Sequence, residues 1–200
     1  MKSKYYFYMF FPPFFQSLLF YITKLFENKY YNVTTFFDSN MPYISFFVIF
    51  YVVWYLFLVF CPIIIYRYEK NKLKEYFVTY MVCSIISSII FVFFPTTINR
   101  PSVDNNNFFN ILVNFIYSND TPALNCFPSL HALYSMLWIL YIGFNKKVNR
   151  VYRLIISILC ILIILSTLFI KQHAIVDLLG SLLVLILSVN VSKLIINNEV

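Results

Sequence analysis

The sequence predicts an all-α fold, an integral membrane bundle of about six transmembrane helices. Three observations carry this. Of 200 residues, 61% are hydrophobic and only 12% charged, more apolar surface than one soluble core of this length buries. The charges are gathered into short stretches, leaving uncharged runs that match the roughly 20 residues needed to cross about 30 Å of hydrocarbon. The basic residues, in turn, fall mostly in alternate loops.

Residues 5–23 are the first uncharged run, behind a basic start at Lys2 and Lys4. Pro12 and Pro13 predict a kink or a restart there. No small-residue cleavage site follows, so the segment reads as a retained membrane helix and not as a secretory signal. Residues 39–66, 76–99 and 121–145 are the next uncharged runs, and 154–170 and 178–192 complete the set. With the N-terminus inside, Lys2, Lys4, Arg67, Lys70, Lys72, Lys74, Lys146, Lys147, Arg150, Arg153 and Lys193 lie on the cytoplasmic side, 11 of the 15 basic residues. The net charge of +7 then reports topology, not a nucleic-acid partner. Lys24, Lys29, Arg100 and Lys171 are left on the outer side.

Inner connections are brief, at residues 67–75 and 145–150. Outer ones are longer, at 24–43 and 98–128. Within the second, Phe108, Leu112, Phe115 and Ile116 recur at helical spacing, which predicts an interfacial helix, either a packed connector or a lid that guides substrate. The whole chain, 1–200, reads as one membrane-embedded domain. Cys61, Cys83 and Cys160 fall within spans and Cys126 in a loop, with no disulfide framework and no metal-ligand spacing.

Three polar clusters fall on the outer side of this topology: Ile98–Pro101, Cys126–Ala132 and Ile170–Asp177. Both histidines of the chain are among them. His173 and Asp177 are four apart, so on a helix they share a face and the carboxylate can fix the imidazole tautomer. An acid this deep in an apolar stretch by default marks a functional site. Pro128 suits a first helical turn, and beyond it Ser129 and the free amides make an anion-ready terminus. Arg100 and Lys171 add positive charge, and His131 stands beside the bound group. Singly, each has a plainer reading. Histidines are often interfacial, Lys171 an anchor, Ser129 an N-cap, Arg100 a headgroup contact and Asp177 a lysine partner. Their convergence on one face favours a site.

The order Arg100-Pro101, then Pro128-Ser129-Leu130-His131, then Ser166 followed by His173 to Asp177 resembles the type 2 phosphatidic acid phosphatase superfamily. Within it, the stretches 127–132 and 173–181 look most like the inositol phosphorylceramide synthase branch, as do 37–57 and 94–101. The resemblance covers about residues 37–185. It implies that His173 attacks phosphorus to give a phosphohistidine and that Asp177 orients it. It further implies that His131 protonates the leaving oxygen and then activates water or an acceptor hydroxyl, and that Arg100, Ser129 and local backbone amides bind the phosphoryl oxygens; Lys171, two residues before His173, would stand in for a missing family charge. Three family positions depart from the pattern: Phe93 stands where a lysine is usual, Leu130 replaces a glycine and Thr167 replaces an arginine.

The expected function is therefore that of a membrane-embedded lipid phosphatase or phosphotransferase, metal-independent and without a cofactor. Its partners would be a lipid phosphate substrate and the bilayer, with no nucleic acid. The alternatives are an inositol phosphorylceramide synthase-like transferase and a non-catalytic membrane relative, which would tolerate loss of His173. The expected setting is a bacterial cell membrane, with a multi-pass chain and the site facing outside.

Overall fold

The computed structural model describes residues 2–26 and 29–198; positions 27 and 28 of the loop predicted over 24–43 lie outside the described residues. Eight α-helices follow one another: α1 Lys2–Thr23, α2 Phe36–Asn40, α3 Val48–Glu69, α4 Lys72–Phe93, α5 Phe108–Asn119, α6 Leu130–Trp138, α7 Arg150–Phe169 and α8 Ile175–Asn197. Two short strands, β1 Tyr31–Asn32 and β2 Thr96–Thr97, pair in parallel and fasten the first long loop to the exit of α4.

Among the described residues four helices have the length and apolarity to cross a membrane, at Ser45–Glu69, Lys72–Phe93, Arg150–Phe169 and Ile175–Asn197. Each is apolar on nearly all sides. Exposed Leu, Ile, Val and Phe side chains ring their outer faces, as expected of helices solvated by lipid. α1 has the length, but its tyrosines, Pro12, Pro13 and Gln16 keep it outside that set. It nonetheless runs helical through both prolines and packs on α4, with Met9, Gln16 and Thr23 buried at seven-residue spacing.

The span predicted over 121–145 is corrected. Helix begins only at Leu130, with nine α-helical residues and a five-residue π turn to Gly143. At about 1.5 Å per residue this is about 21 Å, short of the hydrocarbon thickness. The preceding segment is irregular, with Asn125 in the left-handed region (φ 58°), and Ser129 is the N-cap, so Pro128 stands before the helix and not in its first turn. Protein surrounds α6: it contacts α3, α4, α7 and α8, and eight of its residues are buried. Hydropathy alone does not separate a helix buried in protein from one bathed in lipid.

Hydroxyls link the helices. Tyr134 donates to Gln16 Oε1 of α1 (2.7 Å) and lies 2.8 Å from Ser84 Oγ of α4, while Thr79 of α4 reaches Tyr141 (2.9 Å) and donates to Ser192 of α8 (2.8 Å). In an apolar surround such bonds act between helices where the hydrophobic effect does not. The helix predicted within the second outer connection is present as α5. Its buried side is Asn110, Val113 and Tyr117, whereas Phe108, Ile111 and Phe115 point outward.

Candidate active site

α3, α6 and α8 begin at the same end of the bundle, where α1, α4, α5 and α7 finish, and this brings the three polar clusters together. His173 sits in the connection between α7 and α8. The carbonyl of Thr167 accepts from the amides of both Gln172 (2.8 Å) and His173 (3.0 Å), which closes the last turn of α7. Lys171 adopts the left-handed region, with φ of 53°, a conformation usually given to glycine at a helix end. Its ammonium donates to the carbonyls of Asp38 and Met41, both at 2.5 Å. Asp38 itself, buried in α2, accepts from Ile175 N through Oδ1 (2.8 Å) and from Thr35 N through Oδ2 (2.8 Å). The backbone on either side of His173 is thus hooked to α2.

The His173–Asp177 pair forms, though not by the route expected. His173 precedes α8, and Asp177 in the first turn folds back towards the N-cap, accepting from Ala174 N at 2.8 Å. The same oxygen, Oδ2, lies 3.2 Å from His173 Nδ1, and the carbonyl of Cys126 lies 3.0 Å from it. Two acceptors at Nδ1 put the proton there and leave the Nε2 lone pair unprotonated, a tautomer assigned from the hydrogen-bond network. Cys126, without a side-chain role in the sequence, contributes its backbone oxygen; burial pushes its thiol pKa up, so it stays protonated.

His131 lies in the first turn of α6. Its ring stacks on Tyr51 (4.1 Å between centroids, 23° between planes) and against Trp54 (4.2 Å), and its centroid is 6.2 Å from that of His173. Its Nε2 is buried and has no partner among the described residues. Ser129 caps α6, accepting from Ala132 N at 3.3 Å. Ser181 of α8 donates to the carbonyls of Ser129 (2.8 Å) and Asp177 (2.7 Å), so the starts of α6 and α8 are tied. Phe127 lies flat on Gly180, where an added Cβ would fall 2.3 Å from the ring.

Arg100 donates from Nη1 to the carbonyl of Asp120 (2.8 Å), and from Nη2 to Asp120 Oδ2 (2.6 Å) and Gln172 Oε1 (2.5 Å); its guanidinium also covers the Tyr117 ring at 4.8 Å. For Lys171, burial lowers the ammonium pKa and the nearby Asp38 carboxylate offsets this in part. Of the three departures from the family pattern, Phe93 is 81% exposed and faces away, while Thr167 is buried and serves through its carbonyl. Leu130 lines a cavity.

Two cavities meet at His173. One, of about 690 Å³, is walled mainly by Phe20, Tyr55, Leu112 and Phe115 and ends on His131 and His173. The other, of about 400 Å³, is more polar, with Thr34, Asp38, Asn99, Arg100 and Lys171 in its wall. A group held at His173 meets an unprotonated imidazole nitrogen, a second histidine and the start of α6, whose leading amides lack intrahelical acceptors apart from the Ser129 cap on Ala132. That set can attack an electrophile, supply a proton and hold an anion.

Sequence reasoning singled out His131, His173, Asp177, Arg100, Ser129 and Lys171, and the structure places all six at this end. It missed Asp38, Gln172, Asp120 and Lys24, whose partners lie far along the chain, and the Tyr51 and Trp54 stack, which reads in sequence as one more apolar helix. Among the described residues no group of three or more His, Cys, Asp or Glu can hold a metal ion. The sequence model of the PAP2 superfamily matches residues 28–191. No curated protein and no solved structure matches the chain.

Proposed function

Because the chain belongs to the PAP2 superfamily, whose members are usually phosphatases or phosphotransferases, we propose that it cleaves a lipid phosphate ester through a phosphohistidine on His173. The supporting observation is the His173–Asp177 pair, with Nδ1 held at 3.2 Å from the carboxylate, facing His131 at the end of an apolar cavity. In the first half-reaction the Nε2 lone pair of His173 attacks phosphorus. The P–N bond forms as the P–O bond to the lipid breaks, and His131 gives a proton to the departing oxygen; burial and the neighbouring His173 lower its pKa, so it holds that proton weakly until the phosphoryl anion is beside it. In the second, His131 takes a proton from water or an alcohol, whose oxygen displaces His173 and returns its lone pair. Asp177 stabilises the imidazolium character that develops on His173 without itself being protonated.

Phosphoryl transfer asks mainly for positioning and charge stabilisation. Arg100, the Ser129 hydroxyl and the amides opening α6 would take the phosphoryl oxygens, and Lys171 adds charge from its anchored position in the polar wall. A transferase reading, including one like the inositol phosphorylceramide synthases, is favoured by one feature: His173 lines both a polar and an apolar cavity, so a polar group and a lipid can approach it from different sides. The site would face outside, in a multi-pass protein of a bacterial cell membrane.

The test is phosphate release from phosphatidic acid in mixed micelles, wild type against His173→Ala. Release by the wild type and none by the variant is the expected result. If the variant keeps wild-type turnover, His173 is not the nucleophile and the reading fails. If neither protein releases phosphate while a lipid acceptor becomes phosphorylated, the transferase form replaces the hydrolase.

A further inference from the structure

Asp120 is in the wrong place for a helix acid. It is the C-cap of α5, where the backbone dipole is negative and a carboxylate is repelled. Two cations hold it there. Arg100 Nη2 donates to Oδ2 at 2.6 Å and Lys24 Nζ, from the turn after α1, donates to Oδ1 at 2.8 Å. Both carboxylate oxygens are thus matched to a cation from a different part of the chain. Lys24, Asp120 and Gln172 also line the apolar cavity that ends on His131 and His173. Beside them the buried donors Arg100 Nε and Gln172 Nε2 have no hydrogen-bond partner among the described residues.

We propose that Lys24 and Arg100 form a two-cation cradle for the substrate's phosphoryl anion, and that the Asp120 carboxylate is an internal stand-in which that anion displaces. The proposal rests on the phosphoryl-transfer reading and extends it to two residues that the sequence did not single out. A phosphate carries more charge than a carboxylate and has three oxygens to offer, so it can meet Lys24 and Arg100 and also reach the donors that Asp120 leaves unused. Lys24, in the turn after α1, thus brings a second charge to the carboxylate that Arg100 holds. The Asp120 side chain is 26% exposed, which keeps the pair partly screened and exchangeable. Displacing Asp120 also releases α5 from α1, at the lip of the cavity.

Inorganic phosphate binding to the purified protein in detergent, measured calorimetrically, tests this without requiring turnover. A merely structural Asp120 and a displaceable one predict opposite signs. Asp120→Asn keeps the shape and removes the competing charge, so phosphate affinity is expected to rise about tenfold, and Lys24→Met to lower it about tenfold. Unchanged or weaker binding in Asp120→Asn overturns the stand-in role. Unchanged binding in Lys24→Met overturns the cradle, and that variant decides the matter if Asp120→Asn does not fold. Both shifts, in a protein that turns over no lipid phosphate, would uphold the anion site while removing the catalytic reading.

Discussion

The two ends of the bundle both carry charge, and they treat it differently. At the end where α3 meets α4 and α6 meets α7, Glu69 takes Lys147 at 2.6 Å and Asn145 at 2.6 Å, Lys72 takes Glu75 at 2.6 Å, and Arg153 caps the carbonyl of Gly143 at 2.9 Å. None of the buried polar atoms left without a partner among the described residues lies there. At the opposite end Asp177 Oδ1, His131 Nε2, Arg100 Nε and Gln172 Nε2 are all buried and unpartnered. Burying such an atom unpaired costs about 1–3 kcal/mol. The first end closes the fold; the second holds hydrogen-bonding capacity in reserve.

The comparison breaks most sharply at Asp177. Asp177→Asn retains the bond to Ala174 N on geometry but loses the charge that holds the Nδ1 proton, and turnover should fall by about 10²–10⁴-fold with little change in KM. A variant within about twofold of wild type would reduce Asp177 to a helix cap. Gly180→Ala comes next. Its methyl would push Phe127, and with it the segment leading to Ser129, so we expect about a hundredfold loss of kcat from a shift of about 1 Å. Unfolding stability should drop by about 1–3 kcal/mol, read by thermal denaturation in detergent. Lys171→Ala removes the ammonium that grips the Asp38 and Met41 carbonyls, and a loss of at least about tenfold in kcat/KM is expected; near-wild-type turnover would leave Lys171 an ordinary anchor. At the other end Glu69→Gln should change stability by less than about 1 kcal/mol and leave turnover alone. A large effect on activity there would end the distinction between the two ends.

Much of this was legible from local pattern. The uncharged runs at 39–66, 76–99, 154–170 and 178–192 each overlap a helix long and apolar enough to span, because that requirement is a property of each segment alone. α5 was legible for the same reason. The helix α6 was not: its run of apolar residues looks like any other span, and only the packed structure shows a short helix buried among its neighbours. His173 and Asp177 were legible as a pair, but their contact comes from the cap at the start of α8 and not from a shared helix face. Asp38 and Lys24 offered no signal, since a lone acid or lysine in a loop usually meets water.

The sequence by itself determined that this is a helical membrane protein carrying PAP2 motifs, because hydropathy, helical spacing and motif order are written along the chain. Only the tertiary structure decided which charges are committed and which are left open. Lys171 meets the carbonyl of Asp38 from 133 positions away, and Lys24 meets Asp120 from 96 away. Pairings at such separations are set by how helices pack, and the same packing sets His131 and Arg100 in the walls of two cavities that share His173, which no local stretch encodes.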